Sequence, residues 1–358
     1  MNILIILEKE RQESDVESKH GVLLEHAKHW VLQGNTVYVF GIKTPDKWKD
    51  SGFRFVRSPG IIPNNLRAYL WFLSGSHPRV DLVIESVGLL NLMFKKTTTV
   101  FYFSDRNLKS AKSKSIIRSL TGKLITYVFS KFYRNQHFLF SSFWKLDSFS
   151  YSTSDLTKMF LLKKGLPENL PKDASRIKKG GKTILFASKK QNIKEYQLAI
   201  DIFKGIDRRS EASRFTILTN GKVLKKVKEL ALKQDFNNNI GVWAYESQKV
   251  LIREVLRSDF MLDTEASEET VYTDIQALYL RTLVFVEGSS KLLQKFLGFE
   301  KVVTTFDKGK TREVAQEILK LASDSKKKEK RVNGGIAFAS NYSWKKLTQN
   351  SLKFLENI

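Results

Sequence analysis

The segment from Arg214 to Glu287 alternates short apolar runs with stretches of helical periodicity. Its apolar runs are Phe215–Leu218, Ile240–Trp243, Phe260–Leu262 and Leu283–Val286. Strand signals separated by helix signals are typical of a parallel sheet whose strands are joined by helical crossovers. Ligands of such sheets bind beyond the carboxyl ends of the strands, so we expect functional residues in the loops that follow these runs.

The N-terminal half of the chain shows the same alternation. A helix is predicted from His20 to Gln33, because Gly34 suits the position just after a helix C-terminus. Further helices are predicted over 65–73, 113–130 and 143–149. The strands predicted in this half are 2–7, 36–40, 53–56, 82–85, 99–103 and 137–140. The predicted fold class is therefore α/β, with a doubly wound sheet in each half.

A break in this pattern lies between Lys163 and Lys182. This segment contains two prolines and three glycines, with many charges and little periodicity, which predicts a domain boundary. Apolar residues recur at helical spacing near the C-terminus, which predicts a last helix there. The expected division is an N-terminal domain, a linker, a C-terminal domain and a final helix, over 1–165, 166–182, 183–340 and 341–358 respectively.

The 358-residue chain is strongly basic, with 61 Lys and Arg residues against 37 Asp and Glu residues and a net charge of +24. Such a charge favours an anionic partner, either a lipid surface, a nucleic acid or a phosphorylated substrate. A lysine-rich solvated surface accounts for the same composition. The absence of cysteine excludes disulfides, thiolate nucleophiles and cysteine-ligated metals.

The chain begins MNILIILEKE, an apolar run too short for a signal peptide, and this run is predicted to be a buried strand. No segment approaches the roughly 18 apolar residues that a membrane span needs. We therefore expect a cytoplasmic protein that, where it meets a membrane, is peripheral and lies on the surface.

Three motifs in the C-terminal half form a set. The first, ILFASKKQNIKEY, places Ser188, Lys189 and Lys194 after a predicted strand. In the second, Glu268 and Gln276 are separated by seven residues. The third is YSW at the start of the final helix. With this set the chain resembles the GT-B glycosyltransferases, in particular the large retaining family four, which includes many lipid- and polysaccharide-modifying enzymes.

The resemblance implies two Rossmann-like domains that face each other across a cleft, which is the GT-B architecture. The C-terminal domain would bind a nucleotide-diphosphate sugar as donor substrate, the N-terminal domain would receive the acceptor, and the last helix would cross back to the first domain. No metal and no cofactor are implied, because cations of the protein take the place of a metal in this family.

In the first motif, Ser188 matches the family's Gly, Lys189 its Arg and Lys194 its Lys. Two fixed cations would stabilise the charge that develops on a departing diphosphate, and the nearby helix N-terminus would add its own positive end. These residues are therefore predicted to bind the donor phosphates. An exposed basic loop is the alternative.

In the second motif, the resemblance implies that Glu268 contacts the donor sugar and that Gln276 contacts the ribose hydroxyls. Gln276 stands where the family has Glu, and an amide can bond a hydroxyl but lacks the charge of a carboxylate. Glu269 and Asp274 are substitutes if the register slips. Capping of the following helix is the alternative role for these acids.

Between these motifs, the sequence GVWAY falls where the family has a strand and a turn that contact the nucleobase. An aromatic ring can stack on a uracil or guanine face. Tyr245 or Trp243 is therefore a candidate for base binding, and packing in the core is the alternative.

Two residues of the N-terminal half join the predicted site. His20-Gly21-Val22 corresponds to the family's Gly-Gly loop before the first long helix, where Gly21 would allow the backbone to approach the donor phosphates. Asp105 follows the apolar run VFYFS. At this place phage DNA glucosyltransferases, which the chain also resembles, carry an Asp that acts as general base. In a retaining enzyme Asp105 would orient the acceptor, and a helix cap is the alternative.

Between Arg106 and Arg134 the chain carries eight basic residues and no acidic ones, interleaved with apolar residues. This mixture suits a helix on an anionic bilayer, where each interfacial Lys or Arg contributes roughly 1 kcal/mol. It also suits a groove that follows a nucleic-acid backbone. A buried crossover helix with a cationic outer face is the alternative.

Together these features predict a retaining hexosyltransferase. It would move a sugar from a nucleotide-diphosphate donor to a hydroxyl of a lipid-linked or cell-envelope glycan at the membrane surface. Two alternatives stay open. One is a DNA base glycosyltransferase of phage type, favoured by the compact size and positive charge. The other is a catalytically inactive GT-B scaffold that binds glycan or nucleic acid.

Overall fold

The computed structural model of the chain divides into two compact units, Met1–Gly165 with Tyr342–Ile358, and Leu166–Asn341. The residues that it describes are 1–7, 13–40, 48–56, 71, 79–86, 98–103, 137–141, 159–171, 182–207, 213–234, 236, 240–264, 268–288 and 298–358. Leu166 and Leu170, in the segment expected to be a linker, are buried.

The first unit contains a parallel sheet. Its strands are β1 (Asn2–Ile6), β2 (Thr36–Phe40), β3 (Arg54–Val56), β4 (Leu82–Ser86), β5 (Thr98–Phe103), β6 (His137–Phe140) and β7 (Met159–Leu161). They lie in the order β3-β2-β1-β4-β5-β6-β7. Every strand predicted in this half is present, with bounds that differ by at most one residue at either end. The short strand β7 was not predicted.

The described helices connect or flank the strands of both units. They are α1 (Glu13–Leu32), α2 (Ile193–Asp207), α3 (Leu224–Leu232), α4 (Gln248–Arg257), α5 (Glu268–Tyr279), α6 (Thr311–Ser323), α7 (Ser325–Ala339) and α8 (Trp344–Glu356). The helices predicted over 65–73, 113–130 and 143–149 lie outside the described residues, except for Trp71, which is helical.

Helix α1 begins at Glu13, seven residues before the predicted start at His20. The residues before His20 include neither Gly nor Pro, so nothing in them ends the helix. Gly21 therefore lies inside α1. The loop that the family resemblance implied at this position is not present, so that prediction is wrong. A glycine inside a helix costs about 1 kcal/mol relative to alanine. The buried face of α1, which includes Leu23 and Trp30, offsets this cost by packing.

The C-terminal helix α8 packs against α1 in the first unit. The indole of Trp344 stacks on the His29 ring with a centroid distance of 4.8 Å. Farther along α8, the Ser351 hydroxyl accepts a hydrogen bond of 2.9 Å from Trp30 Nε1. Apolar and polar contacts thus fix α8 to the first helix of the chain.

The second unit contains another parallel sheet. Its strands are β8 (Lys182–Ser188), β9 (Ser213–Thr219), β10 (Ile240–Ala244), β11 (Phe260–Asp263), β12 (Leu283–Glu287) and β13 (Thr304–Phe306), in the order β10-β9-β8-β11-β12-β13. All residues of β11 and β12 are buried, as expected for central parallel strands that helices cover on both faces. The core also contains a stacked aromatic pair, Phe203 of α2 and Phe215 of β9, with centroids 4.4 Å apart.

Both sheets have the strand order of a doubly wound fold, which confirms the predicted α/β class. In each sheet the chain first adds strands in one direction and then returns to add strands on the other side of the first strand. Ligands of such folds bind at this reversal point, beyond the carboxyl ends of the strands. In the second unit the reversal lies between β8 and β11, so the loops after these two strands are the expected binding region.

Candidate functional site

The turn after β8 is held in place by a buried tyrosine. The hydroxyl of Tyr196, in the first turn of α2, lies 3.0 Å from the carbonyl oxygen of Ser188 and 2.8 Å from that of Lys190. Tyr196 is fully buried. The Asn220 side chain, at the end of β9, donates a hydrogen bond of 2.8 Å to the carbonyl oxygen of Lys189. The backbone that carries Lys189 is therefore fixed before any ligand arrives.

The N-terminus of α2 is capped by the protein's own side chains. The Asn192 side-chain oxygen Oδ1 accepts a hydrogen bond of 3.2 Å from the Lys194 backbone N–H, and its Nδ2 donates one of 2.9 Å to Glu195 Oε1. The Ser188 hydroxyl donates to the same carboxylate at 3.5 Å. A buried carboxylate at this helix end repels an anion. The contribution expected from the helix N-terminus is therefore weakened, and cationic side chains have to hold a phosphate here.

Lys189 is the cationic side chain best placed for that task. Its Nζ lies 4.7 Å from the ring centroid of Tyr245, which follows β10, so a cation–π contact holds the ammonium group at the sheet edge. The Tyr245 amide in turn donates 2.7 Å to the Thr219 carbonyl oxygen. Burial raises the pKa of Tyr245 to about 12, so its hydroxyl keeps its proton at neutral pH. Lys194 is exposed.

A chain of hydrogen bonds leads from Tyr245 to helix α5. The Tyr245 hydroxyl donates to Gln248 Oε1 at 3.2 Å, and Gln248 Nε2 donates to Gln276 Oε1 at 2.7 Å. Gln248 is exposed, whereas Gln276 is only 2% exposed. The residue expected at the ribose hydroxyls is thus buried beneath another glutamine.

The end of β11 carries a buried pair of carboxyl groups. Asp263 is its last residue, and Asp274 in α5 is fully buried beside it. Burial, with the charge and hydrogen bonding of Asp263, raises the pKa of Asp274 well above its ordinary value. This shift favours the protonated form of Asp274. Glu268 is the first residue of α5, and its side chain lies outside the described part of the structure.

Trp243 of the edge strand β10 is 61% exposed. Its indole covers Gly241, because a Cβ on that glycine would lie 2.8 Å from Trp243 Nε1. Packing in the core, the alternative for this residue, is therefore excluded. The other candidate for base binding, Tyr245, is half-buried and in contact with Lys189.

Of the site residues predicted in the first unit, only Gly21 lies among the residues that the structure describes. Asp105 and the basic segment 106–134 lie outside the described residues. Gly21 is in the helix α1, next to the fully buried His20, whose ring lies 6.0 Å from that of Tyr102.

The described part of the chain contains neither a metal-binding cluster nor a membrane-spanning helix. Within it, no group of three His, Cys, Asp or Glu residues could hold a metal ion. Among the same residues, no helix is both long and apolar enough to cross a membrane.

No protein-family model and no curated protein matches the sequence. Solved structures match its fold. HepE from Anabaena, in complex with UDP and glucose, has a TM-score of 0.62 at 12% identity, with 100% of both chains covered. A glycosyltransferase from Rickettsia africae has a TM-score of 0.63 at 15% identity, covering 100% of this chain and 99% of its own. WaaG, a glycosyltransferase involved in lipopolysaccharide biosynthesis, has a TM-score of 0.55 at 13% identity over 98% of each chain.

The chain has the GT-B fold. Within that fold, the structure brings together four of the residues selected from the sequence: Ser188, Lys189, Tyr245 and Gln276. Sequence reasoning missed Gln248. One signal could have found it: Ser247, three residues after the end of β10, caps the next helix, which places Gln248 near the carboxyl edge of the sheet.

Proposed function

We propose that the protein is a glycosyltransferase that uses a nucleotide-diphosphate sugar as donor. The observation that carries this proposal is the position of Lys189. It follows β8 at the reversal point of a doubly wound sheet, its backbone is fixed by Tyr196 and Asn220, and its ammonium group lies over Tyr245. A fixed cation at this edge suits a phosphate ligand.

In this proposal Lys189 and Lys194 stabilise the negative charge on the departing nucleoside diphosphate. Charge develops there as the bond between the sugar and the phosphate breaks, and preorganised cations lower the energy of that state. The lysines take the place of a metal ion, so the reaction proceeds in the presence of a chelator. Ser188 lies on the phosphate side, Tyr245 binds the base, and Glu268 contacts the donor sugar.

The acceptor in this proposal is a hydroxyl of a lipid-linked or cell-envelope glycan, oriented by Asp105, and the configuration of the sugar is retained. Two findings support this choice of donor and acceptor. HepE, which shares the fold, has been solved with UDP-glucose, and WaaG is involved in lipopolysaccharide biosynthesis. The net charge of +24 attracts the protein to an anionic membrane surface, where it is peripheral on the cytoplasmic side.

A thermal-shift screen against UDP-, GDP- and TDP-sugars tests the donor half of the proposal. A ligand that binds only the native state raises the melting temperature, and a ligand at 100 times its Kd stabilises by about 2.7 kcal/mol. We expect one nucleotide series to raise the melting temperature, with and without EDTA. No shift with any of them contradicts the proposal.

The acceptor half needs a second experiment. Flotation with anionic liposomes and with neutral liposomes measures membrane binding, and transfer of labelled sugar to lipid extracts measures the activity. We expect binding to anionic vesicles only and transfer to the lipid fraction. Transfer to hydroxymethylated DNA without liposome binding would instead assign the phage-type activity.

A further inference from the structure

The amide of Gln248 is fixed on both of its sides. Gln248 is the first residue of α4 and is exposed. Its Oε1 accepts a hydrogen bond of 3.2 Å from the Tyr245 hydroxyl, and its Nε2 donates one of 2.7 Å to Gln276 Oε1. An exposed glutamine ordinarily samples several rotamers. Two bonds to residues on different elements therefore define a preorganised group.

Half of the bonding capacity of this amide is still available. A glutamine side chain has two N–H donors and an oxygen with two acceptor positions. The bonds to Tyr245 and Gln276 use one of each. Among the described residues, Gln248 makes no other side-chain hydrogen bond. One donor and one acceptor, held in a fixed orientation, match adjacent hydroxyl groups, since each hydroxyl both donates and accepts.

The position of Gln248 relative to Lys189 limits what the ligand can be. Both residues contact Tyr245: the Lys189 ammonium lies 4.7 Å from its ring centroid, and the Gln248 amide oxygen lies 3.2 Å from its hydroxyl. A ligand whose phosphate meets Lys189 therefore reaches Gln248 with the group bonded to that phosphate. In a nucleotide sugar, this group is a sugar ring with adjacent hydroxyls.

We infer that Gln248 binds the adjacent hydroxyls of a sugar ring attached to the diphosphate, and that the buried Gln276 is a positioning residue that acts through Gln248. The inference rests on the proposed nucleotide-sugar site. The family resemblance implies that Gln276 itself contacts the ribose, whereas in this inference Gln276 only orients Gln248. The ring is either the ribose of the nucleotide or the sugar to be transferred, and the experiment below distinguishes them.

The experiment measures Kd by calorimetry for the full chain with UDP, GDP, their 2′-deoxy forms, UDP-glucose and GDP-mannose. Gln248→Ala should weaken binding about fivefold, the effect of one or two neutral hydrogen bonds. If the ring is the ribose, the variant also loses the preference for UDP or GDP over the deoxy form. If the ring is the transferred sugar, Gln248→Ala loses the extra affinity that the wild type shows for UDP-glucose over UDP, or for GDP-mannose over GDP. Either result supports the inference.

A double-mutant cycle tests the positioning role of Gln276. Gln276→Leu removes the acceptor for Gln248 and should weaken binding as much as Gln248→Ala does. The double variant should lose no more than either single variant, because a residue that acts only through Gln248 has no effect once Gln248 is gone. Gln276→Glu keeps an acceptor oxygen and should restore binding. Tyr245→Phe removes the other fixing bond and should give a partial loss.

Three results would overturn the inference. One is wild-type affinity in Gln248→Ala, and another is additive losses in the double variant. The third is an equal loss in Gln316→Ala, a control at an exposed glutamine of α6. If the wild type binds none of the nucleotides, the proposed function fails as well, whereas binding that depends on Lys189 alone overturns only this inference. If Gln276→Leu fails to fold, the exposed position 248 still decides the question.

Discussion

His26 in α1 should make the first unit sensitive to acid. It is fully buried. Its Nε2 lies 2.9 Å from the Lys163 carbonyl oxygen, and its Nδ1 lies 3.2 Å from Ser351 Oγ. A carbonyl only accepts, so the contact with Lys163 requires that Nε2 carry a proton and donate it. The pKa of His26 is lowered from 6.5 to about 4, mainly by burial; the Lys163 carbonyl opposes this shift, and the nearby His29 adds to it.

The magnitude follows from the difference between the folded and unfolded pKa values. Between pH 6.5 and pH 4 the unfolded chain binds a proton at His26 that the folded protein does not, so the free energy of unfolding rises with pH in this window. One pKa unit corresponds to about 1.36 kcal/mol. Between pH 7.5 and pH 5 the wild type should therefore lose about 2 kcal/mol through His26, and about 3 kcal/mol well below pH 4.

The assay is urea unfolding at pH 7.5 and pH 5, followed by tryptophan fluorescence. The chain has six tryptophans, and all except Trp243 lie in the first unit, so a Trp243→Phe background reports on that unit. His26→Gln should lose about 2 kcal/mol less than the wild type between the two pH values. Leu32→Gln, a control at a 70% exposed position of the same helix, should keep the wild-type dependence. Equal pH dependence in His26→Gln and the wild type would refute the reasoning.

Two further substitutions test the packing and the electrostatics of the structure. Asp274→Asn should stabilise the protein at neutral pH, with a gain that grows as pH rises. The raised pKa of Asp274 beside Asp263 means that the folded protein keeps a proton that the unfolded chain has already released. The wild type therefore loses stability as pH rises from the ordinary carboxyl pKa towards the raised one. Urea midpoints that differ from the wild type by the same amount from pH 5 to pH 9 would contradict this. Gly165→Ala should cost about 1–3 kcal/mol, because the added Cβ would lie 2.5 Å from the Trp344 ring, which is held by stacking on His29. A wild-type melting temperature in this variant would show that the ring can move.

The parallel sheets could be predicted because their central strands are buried on both faces. Runs such as Phe260–Leu262 are apolar at every position, so the strand signal does not depend on knowing which face is inward. Strand β13 begins with two threonines and gives no such run, whereas β7 is apolar at all three positions but was not predicted. The start of α1 was misplaced because its first residues, at Glu13 and beyond, are polar and show no apolar periodicity.

The site could be predicted only in part, because its contacts join residues that are distant in the sequence. Lys189 was selected from a local motif, and the structure places its ammonium over Tyr245. The bond between Gln248 and Gln276 joins residues 28 positions apart, and no local pattern indicates such a pair. The sequence places Glu195 near the start of α2. Only the hydrogen bond from Asn192 in the structure shows that its carboxylate folds back onto the helix N-terminus.

The most direct test of the proposed donor site is the affinity of lysine variants for a nucleoside diphosphate. Calorimetry at one ionic strength would compare the wild type with Lys189→Ala, Lys194→Ala and Lys326→Ala, using UDP or whichever nucleoside diphosphate gives the largest thermal shift. Lys326 is an exposed lysine of α7 and serves as the charge-matched control. A charge-assisted bond to phosphate is about twice as strong as a neutral hydrogen bond. Loss of Lys189 or Lys194 should therefore weaken binding about tenfold, or about 1.4 kcal/mol, with no change in the control. Wild-type affinity in both Lys189→Ala and Lys194→Ala would contradict the proposed site.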